Sequence, residues 1–311
     1  MEVLKTHHIV NTRESGISLS LSYKQRIFIM SFISIWAGMI YYAPLSLIEL
    51  ADYILFSFAG LLGAIFANTT GAGGGVVFIP LFNQLNFSET QSVATSFAIQ
   101  CFGMTAGAVT WWHHYKTKKQ TSHLWTGFKP IIAISAIASC LGLWFIYDFG
   151  SHHVIQAPAS LHQNFSWFSL CLGSFMLATV FLLKPDRERS QLAVIDCFCL
   201  SLIGFLGGAL TAWLSVGVGE LVAIYLIIRR FDINMAVAAA VVVSAISVWA
   251  AIWQHTLINF QVFWQVVLFA GPSAVLGGIV ARTLVGYLSA TRLKLFFSFW
   301  LLVIGVMGIK I

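Results

Sequence analysis

The sequence predicts an all-α polytopic membrane protein with two inverted-topology repeats, about seven full spans and two glycine-broken helical hairpins. First, 59% of the 311 residues are apolar and only 9% are charged, against roughly 25% charged in an ordinary soluble domain. Second, no formally charged residue occurs from Ile233 to Ala281, a stretch long enough for two spans. Third, a glycine-rich interruption appears once in each half of the chain.

Seven apolar stretches are predicted to be ordinary spans, because each approaches the roughly 20 residues that a helix needs to cross a bilayer. They lie near residues 27–48, 92–112, 130–148, 165–183, 234–254, 262–281 and 293–309. The first is read as an uncleaved span, since no small-residue cleavage site follows it. The predicted organisation is a polar cytoplasmic tail (1–26), a first transmembrane repeat (27–148), a second repeat (165–281) and an additional C-terminal span (293–309).

Two further apolar segments, 52–88 and 196–230, contain glycine clusters at residues 71–75 and 217–219. Each glycine costs a helix about 1 kcal/mol relative to alanine, so both helices should break there. Each half of these segments is then too short to span comfortably. Broken backbone is tolerated at membrane depth only inside protein or along a watery cavity. Both breaks are therefore predicted to lie in the protein interior.

The distribution of basic residues favours hairpins over single crossings at both segments. If each segment folds back, 16 of the 17 lysines and arginines lie on one side and only Lys310 lies on the other. Such an excess marks the cytoplasmic side, which would include the N-terminus. If either segment crossed once, the basic residues would divide between both faces. The two hairpins therefore enter from opposite sides, which makes the repeats inverted.

The two halves are related by a shift of 144 positions. The shift superposes Asp52 on Asp196, Val76 on Glu220, and the following residues on identical ones in the second half: Gly60, Leu62, Gly63, Gly73, Gly75, Phe87, Val93 and Ala94. Inverted repeats with discontinuous helices are typical of secondary transporters, in which one repeat rocks against the other around a central site.

The helix that follows each break begins with unpaired N–H groups and the positive end of its dipole, which favours an anion. Glycine lets a ligand approach the backbone closely. Uncharged side chains near the breaks would add hydrogen bonds, or would only let helices pack closely. The candidate substrate-binding residues are Asn68, Thr69, Thr70, Gly71, Gly73, Gly74, Gly75, Thr95, Ser96, Gln100, Thr211, Ser215, Gly217, Gly219 and Ser244.

Three acids are candidates for proton coupling or gating. Glu220 is the one acid predicted deep in the membrane, where it either carries a coupling proton or caps its own half-helix. Asp52 and Asp196 begin the two hairpins on opposite sides, as gate or proton-entry residues or as interfacial caps. The net charge of +6 is assigned to cytoplasmic loops rather than to nucleic acid.

Six of the nine histidines occur as three adjacent pairs, beginning at His7, His113 and His152. No carboxylate or thiolate accompanies them at ligand spacing, so no metal or other cofactor is predicted. Nothing resembles a nucleotide-binding loop, and the chain is predicted not to be an enzyme. The alternatives left open are an anion channel, and an intramembrane enzyme or assembly factor that handles metal or haem through these histidines.

Four motifs carry a resemblance to a known family: residues 60–63 (Gly-Leu-Leu-Gly), residues 71–75 with Pro80, residues 92–96 (Ser-Val-Ala-Thr-Ser) and a diverged copy over 204–240. Together they resemble the TauE/SafE family of membrane transporters. The resemblance implies transport, generally export, of sulfite or organosulfonates such as sulfoacetate across a bacterial inner membrane.

The second copy departs from the first in two places. Residues 238–240 are all alanine where the first copy has Ala94, Thr95 and Ser96, and Ile224 replaces Pro80. The expected partners are a small anion and the lipid bilayer. The sequence leaves open whether the chain forms a homodimer.

Overall fold

The structure is a computed structural model that describes residues 23–42, 47–149, 161–182, 189–287 and 290–309. The chain divides into two compact units, Met1–Pro44 and Leu45–Ile311. In the first unit, helix α1 (Tyr23–Tyr42) ends before the predicted end of the first span at residue 48. Most of the predicted N-terminal tail lies outside the described residues.

The second unit is helical throughout its described residues, apart from short turns and connections. Two of its helices, α4 (Glu89–His114) and α9 (Ile233–Trp253), each continue into one π-helical turn, at Tyr115–Lys119 and Gln254–Ile258. In chain order the α-helices are α2 (Leu47–Thr70), α3 (Gly75–Gln84), α4 (Glu89–His114), α5 (Phe128–Phe149), α6 (Leu161–Leu182), α7 (Val194–Leu214), α8 (Val218–Ile228), α9 (Ile233–Trp253), α10 (Trp264–Tyr287) and α11 (Ala290–Gly308). The all-α polytopic prediction is confirmed.

Six of the described helices are long and apolar enough to cross a membrane, namely α2, α4, α5, α7, α9 and α10. The prediction that each half of a hairpin is too short was wrong for the first arms, because α2 has 24 residues and α7 has 21. The second arms, α3 and α8, have only 10 and 11 residues. The Gly71 N–H still donates to the Ala67 carbonyl at 3.0 Å, so the backbone hydrogen bonds of α2 continue to the first glycine. The total of seven ordinary spans stays a prediction.

The first repeat contains helices that run parallel to one another. Along α2 and α4, Ala64 faces Gly103 and Asn68 faces Gly107, so the residue numbers rise together. Parallel helices on either side of α3 require α3 to reverse the chain. The structure therefore contains the fold-back arrangement that the basic residues predict.

The equivalent helices of the second repeat run in the opposite direction. Helices α4 and α9 are antiparallel. Phe97 of α4 stacks on His255, whereas Thr105, later in α4, accepts a hydrogen bond from the indole of Trp249, which precedes His255 in the chain. Helix α9 is in turn parallel to α5, as the Ser139–Ser247 hydrogen bond near the middle of α5 and the Tyr147–His255 one near its end show. The two repeats are inverted relative to each other.

The repeat is visible in the backbone at both hairpin ends. Asn86 and Arg230, which are 144 positions apart, both adopt left-handed conformations, with φ of 58° and 63°. Two residues later, Ser88 and Asp232 cap α4 and α9 by accepting hydrogen bonds from the N–H groups three residues ahead. Equivalent sequence positions therefore form equivalent local structures.

The two repeats pack together because one helix of each repeat lies against a helix of the other. Helix α2 of the first repeat packs along α10 of the second, and α7 of the second packs along α5 of the first. In both contacts the backbones of the two helices approach each other closely. A Cβ atom on Gly277 would overlap the Leu61 carbonyl, and one on Gly142 would overlap the Phe205 carbonyl. Leu61 and Phe205 are themselves repeat-equivalent.

This packing predicts opposite outcomes for two glycines of α10. Gly277→Leu should lower the unfolding temperature in detergent strongly, since overpacking typically costs about 1–3 kcal/mol and the clash here is with backbone. Gly286→Leu is the matched control, because nothing lies within 4 Å of a Cβ atom there. Equal thermal stability of the two variants, measured by a fluorescence melt, would contradict the packing described.

Candidate anion site

The first break lies between α2 and α3. Helix α2 ends where Gly71 takes a positive φ of 82°, which an L side chain rarely adopts. The N–H groups of Gly73 and Gly74 then point to partners outside their own hairpin. Gly73 donates to Glu220 Oε1 at 2.8 Å, and Gly74 donates to Gln100 Oε1 at 2.8 Å.

The second break lies between α7 and α8. Ser215, the repeat equivalent of Gly71, is also left-handed, with φ of 59°, and Gly217 follows with φ of 145°. The Gly217 N–H donates to Glu220 Oε2 at 2.9 Å, and the Val218 N–H donates to Thr211 Oγ1 at 3.0 Å. Both predicted breaks are therefore present in this structure.

The Glu220 carboxylate joins the two breaks. One oxygen accepts the Gly73 N–H of the first repeat and the other accepts the Gly217 N–H of the second. Gly73 and Gly217 are equivalent positions, and Glu220 is only 2% exposed. A single carboxylate thus bridges the N-terminal ends of two half-helices that come from opposite repeats.

Equivalent residues of the two breaks make matching contacts with each other. A Cβ atom on Gly75 would overlap the Ser215 carbonyl, and a Cβ atom on Gly219 would overlap the Gly71 carbonyl. These are equivalent pairs, because 144 positions separate Gly71 from Ser215 and Gly75 from Gly219. Reciprocal contacts of this kind are those of a two-fold arrangement. The site therefore lies at the pseudo-two-fold axis that relates the two repeats.

A hydrogen-bond network centred on Gln100 closes one side of the site. Its amide nitrogen donates to Ser96 Oγ at 3.0 Å and to Ser215 Oγ at 2.9 Å, while its oxygen accepts the Gly74 N–H. Ser215 Oγ also donates to Ser96 Oγ at 3.0 Å. The structure therefore brings together four residues that the sequence had placed near separate breaks.

Ser244 differs from these residues, because its hydroxyl has no hydrogen-bond partner although the residue is 2% exposed. The hydroxyl faces the start of α8, where it would overlap a Cβ atom on Gly219. A buried hydroxyl without a partner is costly, at about 1–3 kcal/mol. This unpaired group beside the break is what a ligand oxygen would satisfy.

Four of the candidates lie apart from the Glu220 contacts. Asn68 donates to the carbonyls of Ala64 and Gly103. Thr69 and Thr70 bond back within α2, although Thr70 Oγ1 also accepts the Ala72 N–H at 3.3 Å. Thr95 accepts the Phe263 N–H just before α10. These side chains support the helices that hold the site.

The two aspartates occupy unlike surroundings. Asp52 is exposed on the second turn of α2. Asp196 is fully buried, accepts the Ala193 N–H at the start of α7, and receives hydrogen bonds from Tyr225 and Arg229. Arg189 lies 3.3 Å away. The hydrogen bond to Asp196 raises the pKa of the Arg229 guanidinium. Asp196 therefore fastens the start of α7 to the end of α8.

Sequence reasoning missed a buried pair at the far end of α5. Tyr147 Oη and His255 Nε2 are 3.0 Å apart, and Phe97 stacks on the imidazole. No motif signals this pair, since its partners are distant in the chain. His113 is exposed and His114 is half-buried. In the described part of the chain, no group of three or more His, Cys, Asp or Glu residues could hold a metal ion.

An apolar cavity of about 530 Å³ lies beside the first hairpin, between α2 and α3 on one side and α6 and α11 on the other. Its lining includes Phe58, Phe66, Val77, Pro80 and Trp300. Such a lining offers little to an anion. The cavity is lined by the candidate Thr69 but by none of the residues that contact the Glu220 carboxylate.

The inverted repeats, the apolar helices and the interior polar site define a multi-pass membrane protein with the architecture of a secondary transporter. The family described as "Sulfite exporter TauE/SafE" matches residues 55–308, which is most of the chain. The chain belongs to this family, as the sequence motifs predict, and its members are transporters rather than enzymes. No curated protein and no solved structure matches the chain significantly.

The unpaired hydroxyl predicts how two serines of α9 should differ. Ser244→Ala should leave the unfolding temperature without ligand unchanged or higher, because it removes an unsatisfied group. It should also reduce any rise in unfolding temperature that added sulfite causes. Ser247→Ala is the control, since the Ser247 hydroxyl bonds to Ser139 and to the Val243 carbonyl. Ser247→Ala should lower stability by about 1 kcal/mol and keep the full sulfite-induced rise. A full sulfite-induced rise in Ser244→Ala would exclude a role for this hydroxyl in anion binding.

Proposed function

We propose that this protein is a secondary transporter that moves a small anion, sulfite or an organosulfonate, across the bacterial inner membrane by alternating access at the paired breaks. One observation carries the proposal. Backbone N–H groups from both repeats donate hydrogen bonds to the protein's own Glu220 carboxylate. The two halves of the site can therefore donate to one anionic group at the same time.

The chemistry of the site suits an oxyanion. Sulfite and sulfonate groups present several acceptor oxygens, and the site offers N–H groups of two half-helices together with the Ser244 hydroxyl. Backbone dipoles bind an anion without the desolvation cost of a fixed lysine or arginine. Transport requires binding that is strong enough to load and weak enough to release. A site built from backbone N–H groups and a hydroxyl, without a fixed cation, meets both needs.

The inverted repeats supply the means of alternation. The site lies between them, so a rocking motion of one repeat against the other would open it to each side in turn. The basic residues orient the chain with its N-terminus in the cytoplasm. Transport is either coupled to protons through Glu220 or driven by the membrane potential.

A transport assay tests the proposal directly. Purified protein in liposomes should take up radiolabelled sulfite or sulfoacetate with saturation, which also separates a carrier from a channel. Gly217→Leu should lose this flux. The backbone at this position has a positive φ that is strained for leucine, and the added side chain would push against Leu210 of α7. Gly286→Leu, in open space on α10, should retain it.

The rival function, metal or haem handling through histidine, predicts the reverse pattern. It requires metal or haem to copurify with the protein, and His113→Ala to be more damaging than Gly217→Leu. On the transporter account, His113→Ala retains the flux. Flux of sulfite and sulfoacetate no greater than that of empty vesicles would overturn the proposed function.

A further inference from the structure

The Glu220 carboxylate occupies the position that a transported anion needs. It accepts the N–H groups of Gly73 and Gly217, the donors that approach the site from the two repeats. An incoming oxyanion can reach these donors only if the carboxylate leaves them. Two unshielded anions side by side in a buried site repel each other strongly. Loading therefore requires both a displacement and a neutralisation.

Nothing on the surrounding elements can supply the neutralising charge. The groups that face Glu220 are backbone N–H groups from its own helix and from the two breaks, and no charged side chain of the described residues acts on it. The polar side chains at the two breaks are uncharged: Gln100, Thr211, Ser215 and Ser244. Of the other buried acids and histidines described, Asp196 is held by Arg189 and Arg229, and His255 is paired with Tyr147. The neutralising charge must therefore come from solution, and a proton is the cation that a displaced carboxylate binds by itself, without further ligands.

We propose, building on the transport function above, that the substrate anion and the Glu220 carboxylate take turns on the Gly73 and Gly217 N–H groups. Each anion that binds is accompanied by one proton, which neutralises the displaced carboxylate. Glu220 is thus a tethered competitor of the substrate and the carrier of the co-transported proton.

The charge balance of this exchange is simple. In the empty site the ionised carboxylate carries one negative charge. In the loaded site the carboxyl group is neutral and a monoanion, such as hydrogensulfite or a sulfonate, carries one negative charge. The buried site keeps the same net charge in both states. The protein therefore reorients with equal charge whether loaded or empty, and the cycle moves one proton with one anion and no net current.

The exchange also accounts for the return of the empty carrier. Unsatisfied N–H groups inside a membrane cost several kcal/mol each. With the carboxylate back on Gly73 and Gly217, the empty site has partners for these donors. The carrier can then return without substrate, so net transport and not only anion exchange is expected.

The test uses methanesulfonate, which stays a monoanion from about pH 5 to about pH 9, so that any pH dependence belongs to the protein. With full-length protein in liposomes, the apparent Kd should rise about tenfold per pH unit wherever Glu220 is ionised in the empty site, since one proton binds with each anion. Proton uptake should match anion uptake one to one. An imposed potassium diffusion potential should leave the initial rate unchanged.

Substitution of Glu220 separates coupling from transport. Glu220→Gln should make methanesulfonate binding independent of pH, and any remaining flux should carry current and respond to the potential. Glu220→Asp should keep the pH dependence, because it keeps a carboxylate. A wild-type Kd that is independent of pH, or a wild-type flux that carries one charge per anion, would overturn this inference and leave the transport function intact. Absence of both sulfite and methanesulfonate flux would instead refute the transport function, and this inference with it.

Discussion

The rest of the structure depends on the two hydrogen bonds from Gly73 and Gly217 to the Glu220 carboxylate. Breaking a helix at membrane depth frees backbone groups that lipid cannot satisfy. This chain breaks two helices at equivalent positions and satisfies one freed donor of each with the same side chain. Because these donors hold a carboxylate, they are also suited to hold the oxygens of a substrate anion once the carboxylate leaves them.

The glycines beside this carboxylate let the two hairpins approach each other closely, and they also allow backbone conformations that other residues rarely adopt. Gly75 meets the Ser215 carbonyl and Gly219 meets the Gly71 carbonyl, so the second arm of each hairpin begins against the end of the other repeat's first arm. Neither hairpin can be completed without the other. This mutual dependence explains why a diverged internal repeat still keeps these glycines at one fixed spacing.

Much of the architecture could be predicted from the sequence because it follows from local properties. A cluster of glycines weakens a helix locally, and basic residues indicate the membrane side of each loop, so the inverted hairpins could be predicted without contacts. The length of α2 could not, because its backbone hydrogen bonds continue to the Gly71 N–H through Asn68, Thr69 and Thr70, residue types of low helix propensity. Thr95 and Ser96 adjoin in the chain yet face Phe263 and Gln100 respectively. The Gly73–Glu220 contact joins residues 147 positions apart, which no local pattern can pair.

The central claim is that the paired breaks form one anion site, which Glu220 occupies when no substrate is bound. A crystal structure of the protein soaked with selenite, a heavier analogue of sulfite, tests this most directly through anomalous scattering from selenium. The account predicts a selenium peak within hydrogen-bonding reach of the Gly73 and Gly217 N–H groups, with the Glu220 side chain displaced from both. A selenium peak elsewhere in the membrane domain, with Glu220 still bridging the two glycines, would contradict it.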